Sequence, residues 1–229
     1  MNTNAQQAIG LFDSGIGGLT VANALIKQLP NESLIYFGDT AHLPYGDKSA
    51  DTIRYFTKTI GNFLLSKDCK IIVIACNTAS SVAYEMLQNL AGDKAHVFSV
   101  IEAVVDEVIE KKYRKVGVIG TLGTINSNAY KTKINAKNPN VQVFQVATPL
   151  LAPMIESGFV EGQISHLVIE EYLNTPELHD IDTLILACTH YPLIKKEIEE
   201  YYAKKNKKVD VLATNEIVDD ESLGGAEMH

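Results

Sequence analysis

Short apolar runs alternate with longer amphipathic segments along the whole chain. Two of the runs, residues 71–74 (Ile-Ile-Val-Ile) and 184–186 (Leu-Ile-Leu), are apolar at every position. A strand with two apolar faces is typical of a parallel sheet that helices cover on both sides. The alternation therefore predicts an α/β fold with a mostly parallel sheet. Folds of this kind bind their ligands just beyond the carboxyl ends of the strands.

The same pattern gives bounds for the individual elements. Eight apolar runs are predicted to be strands: 8–12, 33–37, 70–75, 95–99, 115–119, 141–146, 183–187 and 209–212. Six longer segments with helical periodicity are predicted to be helices: 19–28, 50–65, 79–90, 102–111, 164–173 and 193–204.

The two halves of the chain carry similar strings. Residues 10–15 (Gly-Leu-Phe-Asp-Ser-Gly) correspond to 117–122 (Gly-Val-Ile-Gly-Thr-Leu), and 74–78 (Ile-Ala-Cys-Asn-Thr) correspond to 186–190 (Leu-Ala-Cys-Thr-His). Chance similarity between apolar strands could explain the first pair, but an Ala-Cys-polar string at a strand end is unusual. We therefore interpret the chain as an internal duplication of a unit built from strands and helices.

Composition narrows the classes of function. Lys and Arg total 20 against 28 Asp and Glu, and the net charge is −8. No basic stripe interleaved with aromatic residues occurs, so we do not expect nucleic-acid binding. The polar N-terminus has no signal-peptide segment, and no apolar run approaches the roughly 18–20 residues that cross a bilayer. We expect a cytoplasmic protein with no membrane partner.

Two of the three cysteines occupy matching positions. Cys76 and Cys188 each end an apolar strand and precede residues that cap helices. A thiol there faces the unpaired amides of the next helix, which favours the thiolate and predicts a lowered pKa. The alternatives are a small buried hydrophobe, a disulfide between the two, or a zinc site with His190 as a further ligand. Cys69 has no comparable setting.

Two loops follow the first two strands. The glycines at 15, 17 and 18 let the backbone approach an anionic group, but they do not form the dinucleotide-binding fingerprint. Asp13 at the strand end either caps the helix or assists proton transfer. The loop 37–46 contains His42, Tyr45 and Gly46, and on the spacing alone it is either a plain connection or part of a site.

Taken together, these strings closely resemble the glutamate racemases of the cofactor-independent aspartate/glutamate racemase superfamily. The matching strings are 12–21, 38–40, 44–46, 75–80 and 188–193, in the family's order. The resemblance implies two similar doubly wound, mostly parallel-sheet domains related by a pseudo-twofold axis, with the active site between them. We place the first domain at residues 1–98 plus 208–229 and the second at 99–207.

The resemblance also implies an activity, which is interconversion of L- and D-glutamate without pyridoxal phosphate or metal. It supplies D-glutamate for peptidoglycan, and the enzymes commonly form homodimers. By this likeness Cys76 acts on the D-enantiomer and Cys188 on the L-enantiomer, while Asp13, His190 and Glu156 assist. The residues implied to contact the substrate are Asp13, Ser14, Tyr45, Gly46, Asn77, Thr78, Thr121, Thr189 and His190.

Two alternative functions remain open, and the chain departs from the family pattern in one respect. Aspartate racemase is one rival, since one methylene of substrate length is a modest difference in energy. A non-catalytic anion-binding module is the other. The family usually ends in a further helix, whereas residues 219–225 are acidic and contain glycine, which predicts a short frayed tail.

Overall fold

The computed structural model describes residues 7–217, and within them the chain forms two parallel sheets of four strands each. The strands are β1 (Ile9–Asp13), β2 (Leu34–Gly38), β3 (Ile71–Ile74), β4 (His96–Ser99), β5 (Lys115–Gly120), β6 (Gln142–Ala147), β7 (Thr183–Ala187) and β8 (Asp210–Ala213). Each of these eight was predicted to within about two residues. The expected α/β class is confirmed.

Ten α-helices lie within the described residues. They are α1 (Leu19–Gln28), α2 (Ala50–Ser66), α3 (Asn77–Ala91), α4 (Val100–Glu110), α5 (Leu122–Asn126), α6 (Ala129–Lys137), α7 (Leu151–Glu156), α8 (Gln163–Leu173), α9 (Lys195–Lys204) and α10 (Thr214–Ile217). The sequence predicted α1, α2, α3, α4, α8 and α9. It missed the other four, which are short or, in the case of α6, strongly polar.

The two sheets repeat one strand order. The first runs β2-β1-β3-β4 and the second β6-β5-β7-β8. In the first, Gly10 pairs with Ile72, and in the second Gly117 pairs with Leu184. Cys76 lies four residues after Ile72, and Cys188 lies four residues after Leu184. The two cysteines therefore occupy equivalent positions in the two sheets. The repeat supports the duplication that was inferred from the short strings.

Helices cover both faces of each sheet, as the apolar strands require. On one face of the first sheet, Ile72 and Ile74 pack with α2 and α3. On the other face, Val73 packs with α1. The second sheet is arranged in the same way, with α7, α8 and α9 on one face and α4 and α6 on the other. Each half therefore has its own buried core.

The last strand corrects one expectation. The chain was expected to return to the first domain near residue 208, but β8 pairs in parallel with β7 and extends the second sheet. Val211 and Leu212 pack into the two cores of that sheet, so burial of apolar surface holds the strand there. Helix α10, which follows, contacts α1 of the first half. The remaining domain boundaries stay a prediction, and the expected frayed tail lies outside the described residues.

Among residues 7–217, no helix is both long enough and apolar enough to cross a lipid bilayer.

Candidate active site

Four strand ends from the two sheets meet at one cavity. Ser14 follows β1, Cys76 follows β3, Thr121 follows β5 and Cys188 follows β7, and all four residues line it. This is the edge at which parallel α/β sheets bind ligands, because the loops and helix N-termini gather there. The cavity therefore lies between the two halves and is built from equivalent parts of each.

Almost every residue that the sequence identified as a candidate for the active site lines this cavity. Its volume is about 30 Å³, which is room for about two water molecules. Asp13 does not line it and lies behind the wall. The lining residues are Ser14, Gly15, Leu43, Pro44, Tyr45, Gly46, Cys76, Asn77, Thr78, Thr121, Ala152, Glu156, Cys188, Thr189 and His190.

Cys76 is itself the N-cap of α3, whereas the sequence predicted that the polar residues after it would cap the helix. Its Sγ accepts a hydrogen bond from the backbone N–H of Ala79 at 3.4 Å and lies 3.5 Å from Ser14 Oγ. Burial, together with the charge on Asp13, nevertheless raises the pKa of the thiol to about 11. The expectation of a lowered pKa was wrong, because loss of hydration outweighs the donors at the helix N-terminus.

Cys188 is also buried, at the equivalent strand end of the second half. Burial raises the pKa of this thiol well above its usual value, and the charges of Cys76, Asp13 and Glu156 add to the effect. A backbone N–H of His190 acts in the opposite direction. The two thiols influence each other's titration, so a negative charge on one disfavours a charge on the other.

His190 stands between Cys188 and Glu156. Its Nδ1 lies 3.7 Å from the Cys188 sulfur, and its Nε2 lies 3.1 Å from Glu156 Oε1, without the alignment of a good hydrogen bond. Glu156 is the last residue of α7, a helix the sequence did not predict.

Asp13 is fully buried and accepts hydrogen bonds from both halves of the chain. Its Oδ2 accepts backbone N–H bonds from Gly15 and Gly18 at 3.1 and 3.0 Å, which supplies the start of α1 with an acceptor. Its Oδ1 accepts a hydrogen bond from Thr189 Oγ1. The carboxylate therefore holds the glycine loop that precedes α1 while it contacts the loop that carries Cys188.

Three threonine hydroxyl groups also connect the two halves. Thr78 Oγ1 lies 2.9 Å from Thr121 Oγ1 and 3.2 Å from Thr124 Oγ1, and the last two lie 3.0 Å apart. Thr121 also caps α5. The sequence identified Thr78 and Thr121 but missed Thr124, which carries no motif.

Tyr45, Asp39 and His42 form hydrogen bonds with one another within the loop 37–46. The Tyr45 hydroxyl donates to Asp39 Oδ2 at 2.6 Å, and Asp39 Oδ1 lies 2.8 Å from His42 Nδ1. Burial and the bond to Asp39 raise the pKa of Tyr45, so its hydroxyl stays protonated. Asp39 was not among the expected site residues, although it lies in the matched string 38–40.

The other chemistries considered for the cysteines find little support in the geometry. All three cysteines are free thiols, and Cys69 is buried in the first core, against Gly10. Within residues 7–217, no three His, Cys, Asp or Glu side chains are grouped as metal ligands would be. Two cavity-lining thiols with polar partners can act in acid-base chemistry.

Comparisons with known proteins agree with this geometry. The sequence profile of the Asp/Glu/Hydantoin racemase family matches residues 15–218. The chain belongs to this family. It is 44% identical to the glutamate racemase of Geobacter metallireducens over 97% of this chain and 82% of that protein. The resemblance drawn from the motifs is confirmed.

Solved structures give the same result. The fold is similar to a crystal structure of glutamate racemase from Francisella tularensis in complex with D-glutamate, with a TM-score of 0.89 and 43% identity. That match covers 96% of this chain and 81% of the other. A glutamate racemase from Bacillus anthracis matches with a TM-score of 0.91 and 34% identity over 98% of this chain and 84% of that one. The expected two-domain racemase fold is thereby confirmed.

Proposed function

We propose that this protein is a glutamate racemase that interconverts L- and D-glutamate by proton transfer between two thiols and the α-carbon. The observation that carries the proposal is that Cys76 and Cys188, at equivalent strand ends of the two sheets, line one cavity. Racemisation requires a base on one face of the carbon and an acid on the other. Two duplicated halves supply such a pair.

The two thiols exchange roles with the direction of reaction. Cys76 removes the proton of the D-enantiomer while Cys188 donates to the other face, and the reverse holds for the L-enantiomer. One sulfur must be a thiolate when the other is a thiol. The mutual repulsion that raises the pKa of Cys188 supports a pair with one charge at a time.

Neighbouring groups assist each thiol. His190, beside Cys188, stabilises the thiolate or passes a proton, and Glu156 orients the imidazole. Asp13 acts through charge and through its contact with Thr189, since it does not line the cavity. These roles rest on the distances given above together with the family resemblance.

Substrate recognition uses neutral donors. Arg54 donates hydrogen bonds to Asp51 and to the backbone carbonyl of Val82. Among the described residues, no arginine or lysine lines the cavity. The substrate carboxylates are therefore proposed to rest on amides and hydroxyls. The residues proposed to contact glutamate are Ser14, Tyr45, Gly46, Asn77, Thr78, Thr121, Thr189 and His190, with Asp13 behind them.

Closure of the two halves belongs to the proposed mechanism. A cavity of about 30 Å³ has room for about two water molecules, and we propose that the halves separate to admit glutamate. Closure then excludes water and brings donors to the α-carbon, whose proton is only weakly acidic.

Deuterium exchange tests the function. The protein is incubated in D₂O with each enantiomer of glutamate and of aspartate, with no pyridoxal phosphate or metal added. We expect α-deuterium in both glutamate enantiomers and accumulation of the opposite one. Exchange on aspartate alone would reassign the substrate, and binding without exchange would indicate an anion-binding module.

The biological setting is part of the same proposal. The product D-glutamate would supply peptidoglycan synthesis, and the need for two free thiols suits the reducing cytoplasm. We further propose a homodimer, on the family resemblance. Sedimentation at micromolar concentration should show the dimer, and a monomer throughout would remove that part of the proposal.

A further inference from the structure

A buried tyrosine of the second half is bonded to the residue beside Cys76. Tyr130, on α6, donates its hydroxyl hydrogen to Asn77 Oδ1 at 2.6 Å, and Asn77 is the first residue of α3. Both side chains are almost completely buried. None of the motifs includes Tyr130, and the mechanism above does not use it.

The hydroxyl has a single acceptor, and this fixes the direction of the bond. Within residues 7–217, Asn77 Oδ1 is the only hydrogen-bond partner of the Tyr130 hydroxyl. If the amide were turned over, the phenol would accept from Nδ2 and its own buried hydrogen would have no acceptor, which costs about 1–3 kcal/mol. Burial also raises the pKa of Tyr130, so the hydroxyl remains a donor. The amide oxygen is therefore held toward Tyr130.

The amide nitrogen is then left for another partner. Asn77 lines the cavity, and its Nδ2 is buried with no hydrogen-bond partner among the described residues. A buried donor without an acceptor is unfavourable and points to a ligand that completes it. The proposed substrate brings carboxylate oxygens, which accept such a bond.

We propose that Tyr130 is a positioning residue that orients the Asn77 amide, so that Nδ2 donates to a carboxylate oxygen of the substrate. This inference rests on the proposed function. It assigns to the second half a part in the binding site of the first, next to the thiol that acts on D-glutamate.

Replacing Tyr130 by phenylalanine tests the proposal. Without the hydroxyl the amide can turn its oxygen toward the substrate, so Y130F should raise KM about tenfold. The loss should appear mainly in KM, because the carboxylate is already charged before the proton moves. Y202F is the matched control, since the Tyr202 hydroxyl on α9 is buried and has no hydrogen-bond partner within residues 7–217. It should change KM by no more than about twofold.

Double substitution separates positioning from a structural effect. In an N77A background there is no amide to orient, so adding Y130F should cause no further loss. N77D keeps an acceptor for Tyr130 and removes the donor, so it should raise KM about 10- to 100-fold with the fold intact. N77D also provides the test if Y130F fails to fold.

Several outcomes would overturn the inference. They are an unchanged KM in Y130F, an equal loss in Y202F, a full extra loss when Y130F is added to N77A, or an unchanged KM in N77D. Failure of the proposed function is a separate result, since the unsubstituted protein would then show no exchange on glutamate.

Discussion

Thr189 Oγ1 donates a hydrogen bond to Asp13 Oδ1 at 3.3 Å across the junction of the two halves. Thr189 follows Cys188 directly, and Asp13 ends the first strand. The environment of Cys188 therefore includes groups of the first half, since the charges of Asp13 and Cys76 also help to raise its pKa.

Each cavity thiol should be indispensable. C76A and C188A should each lower kcat by about 10²- to 10⁴-fold, because either loss removes the acid or the base. Circular dichroism of the substrate follows racemisation, and that of the protein checks the fold. C69A is the control and should keep normal turnover, because its buried thiol packs in the first core. Near-normal turnover in either of the first two variants would contradict the assigned roles.

A side chain at position 17 should prevent closure. A Cβ there would lie 2.6 Å from Thr189 Oγ1 and 2.9 Å from His190 Cε1. G17A should therefore hold the halves apart, lower kcat/KM by at least about tenfold, and leave each core unchanged. Kinetics together with small-angle scattering would show the loss and a larger radius of gyration. Full activity with an unchanged radius would show that the close approach is not needed.

Asp13 should control the ionisation of Cys76. Its charge adds to burial in raising the pKa of that thiol to about 11, so D13N should lower the pKa. The ultraviolet absorbance of the thiolate can be titrated in a C69A/C188A background, with and without D13N. The asparagine can still accept from Gly15 and Gly18, which limits the structural change. A midpoint that stays fixed or rises would argue against this electrostatic role.

Glu156 should have a smaller effect than the thiols. Its side chain is about a third exposed and lies beside His190, so E156Q should lower kcat by no more than about tenfold. Since the charge on Glu156 also raises the pKa of Cys188, the substitution should lower that pKa. E161Q, at an exposed position five residues along the chain, is the control. Equal effects of the two substitutions would remove Glu156 from the mechanism.

The buried thiol should also make stability depend on alkaline pH. Between the ordinary cysteine pKa of 9.0 and about 11, Cys76 ionises in the unfolded chain but not in the folded one. Stability from this group is present below pH 9.0 and falls as the pH rises, by about 1.4 kcal/mol per unit of pKa difference. Denaturant unfolding of C76A should show a smaller alkaline loss than the unsubstituted protein. Parallel losses in the two proteins would contradict the raised pKa.

The sequence predicted the eight strands because each is apolar enough to be identified from its own residues, without knowledge of the strands that pair with it. Helix α6 was missed because lysine and asparagine hide its short apolar stripe, in which Tyr130 and Ile134 are buried. Helix α7 is only six residues long and contains a proline. Such helices form because the second sheet offers them a surface, and a local pattern does not record that surface.

The sequence by itself determined the α/β class, the duplication and the identity of the two thiols, since these follow from patterns that are local along the chain. Tertiary structure alone decided that β8 joins the second sheet, that burial raises the pKa of Cys76, and that Tyr130 contacts Asn77, 53 residues away. Strand pairing, loss of hydration and long-range hydrogen bonds depend on which surfaces meet. That is settled only when the two halves fold against each other.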